Sequence, residues 1–130
     1  MGASMLDASV ADELVRSCRT TIGDRLRSVT CFSPEGYEQI YLRDDLEQDA
    51  DLSGFVNHEI RGFEAKSAYA NSELGDYRYT IRSFENGQLL RILDRNRGVF
   101  VTSEGLTIRR SEEVATAVQA VMDNHEWDVV

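Results

Sequence analysis

Hydrophobic side chains recur with a helical period near the start of the chain. Within residues 8–22 an apolar side chain occupies every fourth position: Val10, Leu14, Cys18 and Ile22. This spacing places all four on one side of a helix, so the segment is predicted to be an amphipathic α-helix that packs on a core. Gly23 follows at once and favours the end of that helix.

Two later segments have the same period. The middle one has a stripe of seven positions: Leu52, Phe55, Val56, Glu59, Ile60, Phe63 and Ser67. The last one has a stripe of five: Val114, Ala117, Val118, Val121 and Met122. Asp51 and Ser111 precede these stripes and are the predicted N-caps, since short polar side chains accept hydrogen bonds from the first free backbone N–H groups. We expect Phe55 and Phe63 to be core residues of the middle helix.

Alternation of apolar and polar residues between these helices predicts five β-strands. Four of them span about 26–32, 37–42, 88–93 and 99–102, and another begins at Asp76. Turn-forming residues separate the strands of each hairpin, at Ser33–Gly36, Asn86-Gly87 and Asp94–Gly98. The strands on either side of each turn are therefore expected to pair antiparallel.

The predicted element order is α-β-β-α-β-β-β-α. Hairpins favour a five-stranded antiparallel sheet, and helices with one apolar stripe each can cover both of its faces, one helix on one side and two on the other. The predicted class is α+β, in a single domain over 1–130 with a folded core at 8–122 and a C-terminal tail at 123–130. Three tail residues are expected to dock on the domain or on a partner: Trp127, Val129 and Val130.

The Asn86-Gly87 pair predicts a two-residue hairpin loop, because both residue types tolerate a positive φ. Such a loop fixes the register, in three facing pairs: Phe84 with Leu89, Arg82 with Arg91, and Ile81 with Ile92. One face of the hairpin is then the expected core face and carries Tyr77, Tyr79, Ile81, Leu90 and Ile92. The opposite face carries Arg78, Arg82, Phe84, Leu89, Arg91 and Leu93.

In this register Arg82 and Arg91 stand side by side, which is unfavourable without a negative charge nearby. A carboxylate of the middle helix, Glu59 or Glu64, is the favoured source, and a partner protein's carboxylate or a bound anion is left open. A surface that mixes arginine, aromatic and leucine side chains also suits the core of an interface. The candidate interface or anion-binding residues are Arg78, Arg82, Phe84, Leu89 and Arg91.

The charge balance narrows the environment and the partners. Of 130 residues 23 are acidic and 14 basic, which gives a net charge of -9, and Lys66 is the single lysine. Such a chain should repel bare nucleic acid and anionic membranes. An acidic surface almost without lysine favours adaptation to molar salt, where screening suppresses repulsion between carboxylates, over a mildly acidic cytosolic protein. The melting temperature is then expected to rise between about 0.1 M and 3 M KCl.

Few side chains are arranged for catalysis or for metal binding. Cys18 and Cys31 form no C-x-x-C pair and are predicted to be buried thiols. His58-Glu59 is not followed by the second histidine of H-E-x-x-H. The acidic run 44–51 is not followed by the closing glutamate of an EF-hand loop, so it is expected to be a solvated connector. Phosphate-binding glycine motifs and the G-x-S-x-G elbow are absent. We predict no catalytic residue, no cofactor and no metal, hence no enzyme.

The sequence has no signal-peptide pattern and no apolar run that could span a bilayer, so the expected location is cytoplasmic.

The element order resembles the Roadblock/profilin-like layout, in which a two-strand hairpin, a helix and a three-strand meander lie between terminal helices. The residues also resemble a family of small uncharacterised haloarchaeal proteins. The stretches that carry this resemblance are 23–30 (GDRLRSVT), 74–77 (LGDY), 84–87 (FENG) and 97–102 (RGVFVT). The resemblance implies a salt-adapted cytoplasm and brings no established activity and no catalytic residues.

Two functions are compatible with these patterns. The first is a non-catalytic interaction or regulatory module, as a homodimer or with a protein partner, that pairs through an exposed edge of the sheet. The expected edges are the strands at Tyr37 and Asp76. The alternative is a small-ligand sensor with a pocket between sheet and helix, lined by Phe63, Tyr77 and Tyr79. A flat two-fold contact would favour the module, and one enclosed apolar pocket would favour the sensor.

Overall fold

The computed structural model describes residues 6–52 and 54–127. Its helices are α1 (Ala8–Ile22), α2 (Phe55–Ile60), α3 (Gly62–Lys66) and α4 (Ile108–Asn124). Its strands are β1 (Leu26–Ser33), β2 (Gly36–Leu42), β3 (Tyr79–Phe84), β4 (Gly87–Asp94) and β5 (Arg97–Ser103). One-turn 3-10 helices at Gly23–Arg25 and Ser67–Tyr69 extend α1 and α3.

The five strands form one antiparallel sheet in the order β2-β1-β5-β4-β3. The predicted α+β class, the five-stranded antiparallel sheet and the helices on both faces are confirmed. The expected edges are confirmed as well, because β2 and β3 lie at the two ends of the strand order. β3 begins at Tyr79 rather than at Asp76.

One side of the sheet, the α1/α4 face, holds the larger core. The stripe of α1 is buried as predicted, at Val10, Leu14, Cys18 and Ile22. It packs on β1, β4 and β5 through Val29, Cys31, Leu90, Ile92, Val99 and Val101. Both cysteines are free and buried, as predicted, and burial raises the pKa of Cys18 to about 12. These thiols therefore stay protonated and act as small apolar side chains.

The opposite side, the α2/α3 face, has a smaller apolar centre. Its buried members are Phe32, Val56, Leu89, Leu93 and Phe100. Phe55 and Phe63 pack against this centre but remain half-buried, so the prediction that both are core residues is only partly right. The middle helix is interrupted at Arg61, which leaves two helices of six and five residues. Two helices this short cover only part of this face of the sheet, and both phenylalanine side chains stay partly in contact with solvent.

Both predicted N-caps are wrong. Gly54, not Asp51, precedes α2, and Asp51 has a left-handed φ of 65° that does not fit the extended backbone of an N-cap. α4 begins earlier than expected, with Thr107 as the N-cap whose side chain accepts from the backbone N–H of Arg110. Ser111 lies inside the first turn and donates to the carbonyl of Thr107. In the stripe of α4, Ala115 is buried and Ala117 only half-buried, because the helix is rotated slightly from the expected phase.

The C-terminal tail is shorter than predicted, since α4 continues to Asn124. Trp127 docks on the domain, 9% exposed, with the guanidinium of Arg97 4.4 Å from the centre of its ring. Arg97 also donates to the carbonyls of Met122 and His125, which fixes the end of the helix. The expected docking of Val129 and Val130 lies outside the described residues.

Candidate interface at the β3 edge

The β3–β4 hairpin closes through a different loop from the one the sequence predicts. Phe84 pairs with Gly87, so the two loop residues are Glu85 and Asn86, and neither Asn86 nor Gly87 has a positive φ. Gly87 is the first residue of β4, and a Cβ at this position would lie 2.3 Å from the backbone oxygen of Ser103 in β5. The close approach of β5, rather than a positive φ, accounts for this glycine.

The predicted facing pairs are therefore wrong by two residues. Arg82 faces Leu89, and Arg91 faces Thr80. A shift of two positions keeps the paired side chains of β3 and β4 on their predicted faces, because side chains alternate with a period of two. Arg82 and Arg91 are consequently diagonal neighbours on the α2/α3 face, as their shared acid shows.

That acid is Glu59 of α2, one of the two carboxylates named from the sequence. Arg82 Nε lies 2.7 Å from Glu59 Oε2, and Arg91 Nη1 lies 2.9 Å from Glu59 Oε1. Glu59 is 2% exposed and Arg91 7%. We call these three residues the Glu59 cluster. Glu64, the other candidate, is exposed on α3 and forms no salt bridge with a described residue.

Neighbouring polar groups complete the hydrogen bonding of Arg91. Its Nη2 donates to Thr80 Oγ1 at 2.9 Å, and its ring neighbour is Tyr77, 5.8 Å from the guanidinium carbon. Gly62 provides the space, since a Cβ there would lie 2.3 Å from Arg91 Nη1. Tyr77 was expected on the core face with Tyr79, and this is wrong. β3 starts only at Tyr79, so the alternation does not extend back to Tyr77, which packs on the α2/α3 face.

A second buried carboxylate lies on the same face, at the end of the acidic connector. Asp51 accepts from Arg27 Nη2 at 2.9 Å and from the hydroxyls of Ser28 and Thr102. These four residues form the Asp51 cluster. Desolvation favours a raised pKa for Asp51, but the hydrogen bonds from Arg27, Thr102 and Ser28 outweigh it and lower the pKa. The prediction of a solvated connector fails at Asp51, whose side chain is 7% exposed. Nothing local in the sequence separates it from its exposed acidic neighbours.

The remaining candidate residues lie in different surroundings. Leu89 is buried in the apolar centre, whereas Phe84 at the end of β3 is 55% exposed. Arg78 is exposed just before β3, with its guanidinium 5.5 Å from the centre of the Tyr79 ring. Leu89 and Arg91 are too buried to contact a partner directly, so the exposed interface candidates are Arg78, Phe84 and, in part, Arg82.

A groove of about 800 Å³ lies beside Arg78, at the start of β3. The first residue of β3, Tyr79, pairs with Ile92, and β4 continues for two more residues beyond this pair. Tyr77 and Tyr79 line this groove, whereas Phe63 packs edge-on against Phe32, with 5.5 Å between the ring centres. Six charged side chains also line this edge groove: Lys66, Asp76, Arg78, Asp94, Arg95 and Asp123. Such a lining suits a peptide or protein surface better than an apolar small molecule.

Residues 6–52 and 54–127 contain neither a candidate metal-binding cluster nor a candidate membrane-spanning helix. No group of three or more His, Cys, Asp or Glu side chains is placed to hold a metal ion. None of the described helices combines the length and the apolar character needed to cross a membrane.

Several solved structures have a similar fold. The gliding protein MglB from Thermus thermophilus matches with a TM-score of 0.61 at 12% identity, over 95% of this chain and 98% of that one. A structure described as MglB with a tetrameric arrangement matches with a TM-score of 0.61 at 11% identity and the same coverage. A Roadblock/LC7 domain from Streptomyces avermitilis matches with a TM-score of 0.54 at 18% identity, over 93% and 98% of the two chains. At these identities the likeness establishes a Roadblock-like fold.

No curated protein matches the sequence. A family model does match, over residues 12–123, and its description is "Domain of unknown function (DUF7522)". The match spans α1 to α4 and thus nearly all of the described fold. The chain belongs to the DUF7522 family, whose fold here is Roadblock-like.

Proposed function

We propose that the protein is a non-catalytic interaction module that self-associates through the outer edge of β3. The observation that carries this proposal is that the outer edge of β3 is regular and unpaired within the described residues. Within the described residues β3 is hydrogen-bonded to a neighbour on its β4 side alone, and its pairing is regular along all six residues. A regular, unprotected edge is a ready template for another strand.

The other edge of the sheet is less suitable. The register of β2 against β1 shifts between Val29 and Thr30, which leaves Ile40 as a bulge residue. Bulges increase the local twist and protect an edge from pairing. The acidic connector also folds back over this strand, where Gln39 donates to the carbonyl of Ala50 at 2.9 Å. The two edges thus differ in the regularity that strand pairing requires.

The structural neighbours are compatible with this proposal. One of them, an MglB, is described with a tetrameric arrangement, so that protein assembles from several copies while sharing the fold. The charged lining of the edge groove also favours a protein surface over the enclosed apolar pocket of a small-ligand sensor.

A proline scan of the two edges tests the proposal. Phe84 pairs with Gly87 at the turn, and hydrogen-bonded pairs alternate with non-hydrogen-bonded ones, so the N–H of Ser83 points away from β4. Ser83→Pro therefore removes an outward donor and leaves the hairpin intact. Tyr37→Pro is the matched control, because Tyr37 has the equivalent position next to the turn pair Gly36–Ser33 of β2.

The measurement is molar mass by light scattering in about 3 M KCl, a salt that suits an acidic surface. We expect a wild-type dimer, a dimer for Tyr37→Pro and a monomer for Ser83→Pro, each with unchanged circular dichroism. A wild-type monomer at all accessible concentrations would refute self-association. A dimer lost with Tyr37→Pro but retained with Ser83→Pro would transfer the interface to β2.

A further inference from the structure

The exposed ring at the end of β3 and the groove at its start belong together in a dimer. We propose that the β3–β4 turn of a second copy, led by Phe84 and Glu85, docks at the mouth of the edge groove. The inference rests on the proposed pairing through β3 and adds to it a register and an anchor residue. Both follow from the faces of the strand and from the side chains that line the groove.

The faces restrict the register. Tyr79 and Ile81 pack on the α1/α4 face, while Thr80 and Arg82 lie on the α2/α3 face. A two-fold axis perpendicular to the sheet keeps each face on its own side, so directly opposite residues must share a face. Two registers then pair five residues of the six-residue strand. One is centred on Ile81, and the other is centred on Arg82.

Charge and packing select between these two registers. The register centred on Arg82 sets that guanidinium opposite its own copy, which is unfavourable. The register centred on Ile81 sets Ile81 opposite Ile81 and Arg82 opposite Thr80 of the second copy. Ile81 is half-buried in the monomer and would lose its remaining exposed surface there. The structure therefore favours Ile81 on the two-fold axis.

In this register Phe84 of the second copy lies opposite Arg78. Arg78 lines the edge groove together with Tyr77 and Tyr79, so the exposed ring of Phe84 meets a guanidinium and aromatic side chains. Such contacts are typical of interface cores. A ring that is 55% exposed in the monomer thereby acquires a partner surface.

Glu85 of the second copy follows Phe84 towards the mouth of the groove, whose lining carries three acidic side chains, Asp76, Asp94 and Asp123, beside three basic ones. The three bases, Lys66, Arg78 and Arg95, have no salt bridge to a carboxylate of the described residues, whereas Asp94 is paired with Arg97. A carboxylate from the second copy can therefore pair with one of these bases. Glu85 is exposed in the turn and likewise has no salt bridge to a described residue. By two-fold symmetry the same contact forms twice in the dimer.

Cysteine cross-linking tests the register directly. Arg78→Cys and Phe84→Cys in one chain would face each other between copies, within the distance that a disulfide spans. Cys18 and Cys31 are both 0% exposed, so the native thiols do not compete. Under mild oxidation with diamide we expect a covalent dimer from the double variant and none from either single variant. A double variant with Tyr37→Cys and Phe84→Cys, which joins the two edges, is the control and should stay uncross-linked.

Alanine variants measure the anchor in the same protein. Phe84→Ala should weaken the dimer about tenfold, whereas Tyr37→Ala, at a ring 50% exposed on the other edge, should leave its dissociation constant unchanged. Wild-type protein that is monomeric would refute both the inference and the proposed function. A dimer that Ser83→Pro dissociates, but that neither cross-links at Arg78 and Phe84 nor weakens with Phe84→Ala, would refute the inference alone.

Discussion

The two faces of the sheet are stabilised in different ways. On the α1/α4 face two helices of 15 and 17 residues bury continuous apolar stripes. On the α2/α3 face the helices have six and five residues, and a small apolar centre is flanked by the Glu59 and Asp51 clusters. Where little helix is available to exclude water, the protein orders loops and strands with buried carboxylates and arginines. One face depends on local periodicity and the other on pairs that are distant in sequence.

The largest loss of stability is expected for a substitution at Glu59 on the α2/α3 face. Glu59→Gln leaves Arg91, 7% exposed, without its counter-charge, and we expect a loss of about 3–5 kcal/mol in the free energy of unfolding. Glu64→Gln, at the exposed carboxylate of the next helix, should change it by less than about 0.5 kcal/mol. Urea denaturation in molar KCl measures both. Equal and small effects would mean that the Glu59 cluster is solvated in solution.

A truncation on each face compares the two apolar cores. Leu14→Ala in the α1/α4 core, at a side chain 0% exposed, should cost about 2–5 kcal/mol because it leaves a cavity. Phe63→Ala should cost less than the same substitution in a full core, about 1–2 kcal/mol, since the half-buried ring can be replaced in part by solvent. If Phe63→Ala costs more than Leu14→Ala, the α2/α3 face carries more of the core than its burial indicates.

The Asp51 cluster should make stability dependent on pH. A carboxyl whose pKa is lowered on folding stabilises the protein above its unfolded pKa of about 3.9. That contribution is lost as the pH falls through the lower pKa of the folded state. Asp51→Asn should therefore flatten the decline in the free energy of unfolding below about pH 4.

Asp45 provides the control for this titration. Its pKa is also lowered, by a hydrogen bond from Arg43, but its side chain is 63% exposed and salt screens the pair. Asp45→Asn should leave the pH profile in molar KCl almost unchanged. A profile that Asp51→Asn leaves as steep as the wild-type one would contradict a role of that carboxylate in acid stability.

The smallest expected effect is the change that salt makes to the stability cost of Glu59→Gln. We propose that the -9 charge makes the whole domain more stable between about 0.1 M and 3 M KCl, with a rising melting temperature. Buried pairs are screened far less than exposed ones, so the cost of Glu59→Gln should stay within about 1 kcal/mol across that range. A melting temperature that is flat or falls with KCl would contradict salt adaptation, and a vanishing cost of Glu59→Gln would place the cluster in solvent.

The sequence was informative wherever a repeat or a turn residue acts locally. Short-range patterns account for the stripe of α1, the end of that helix at Gly23, the hairpins and the burial of Cys18 and Cys31. The shared acid of Arg82 and Arg91 was also predicted, because a register error of two residues preserves the face of each side chain. The period of two protects such an inference against a register error of this kind.

Tertiary structure decided the features that depend on distant neighbours. Gly87 pairs with Phe84 inside β4, so the loop lies at Glu85-Asn86, and the backbone of Ser103 leaves no room for a Cβ at this glycine. Asp51 turns inward because Arg27, Ser28 and Thr102 lie within reach on β1 and β5, at separations that no local pattern encodes. The composition, periods and turn residues of this chain determined its elements and their faces, since these arise from interactions along a few residues. Which carboxylates are buried, and where the edge groove opens, was fixed only when strands far apart in sequence met in the sheet.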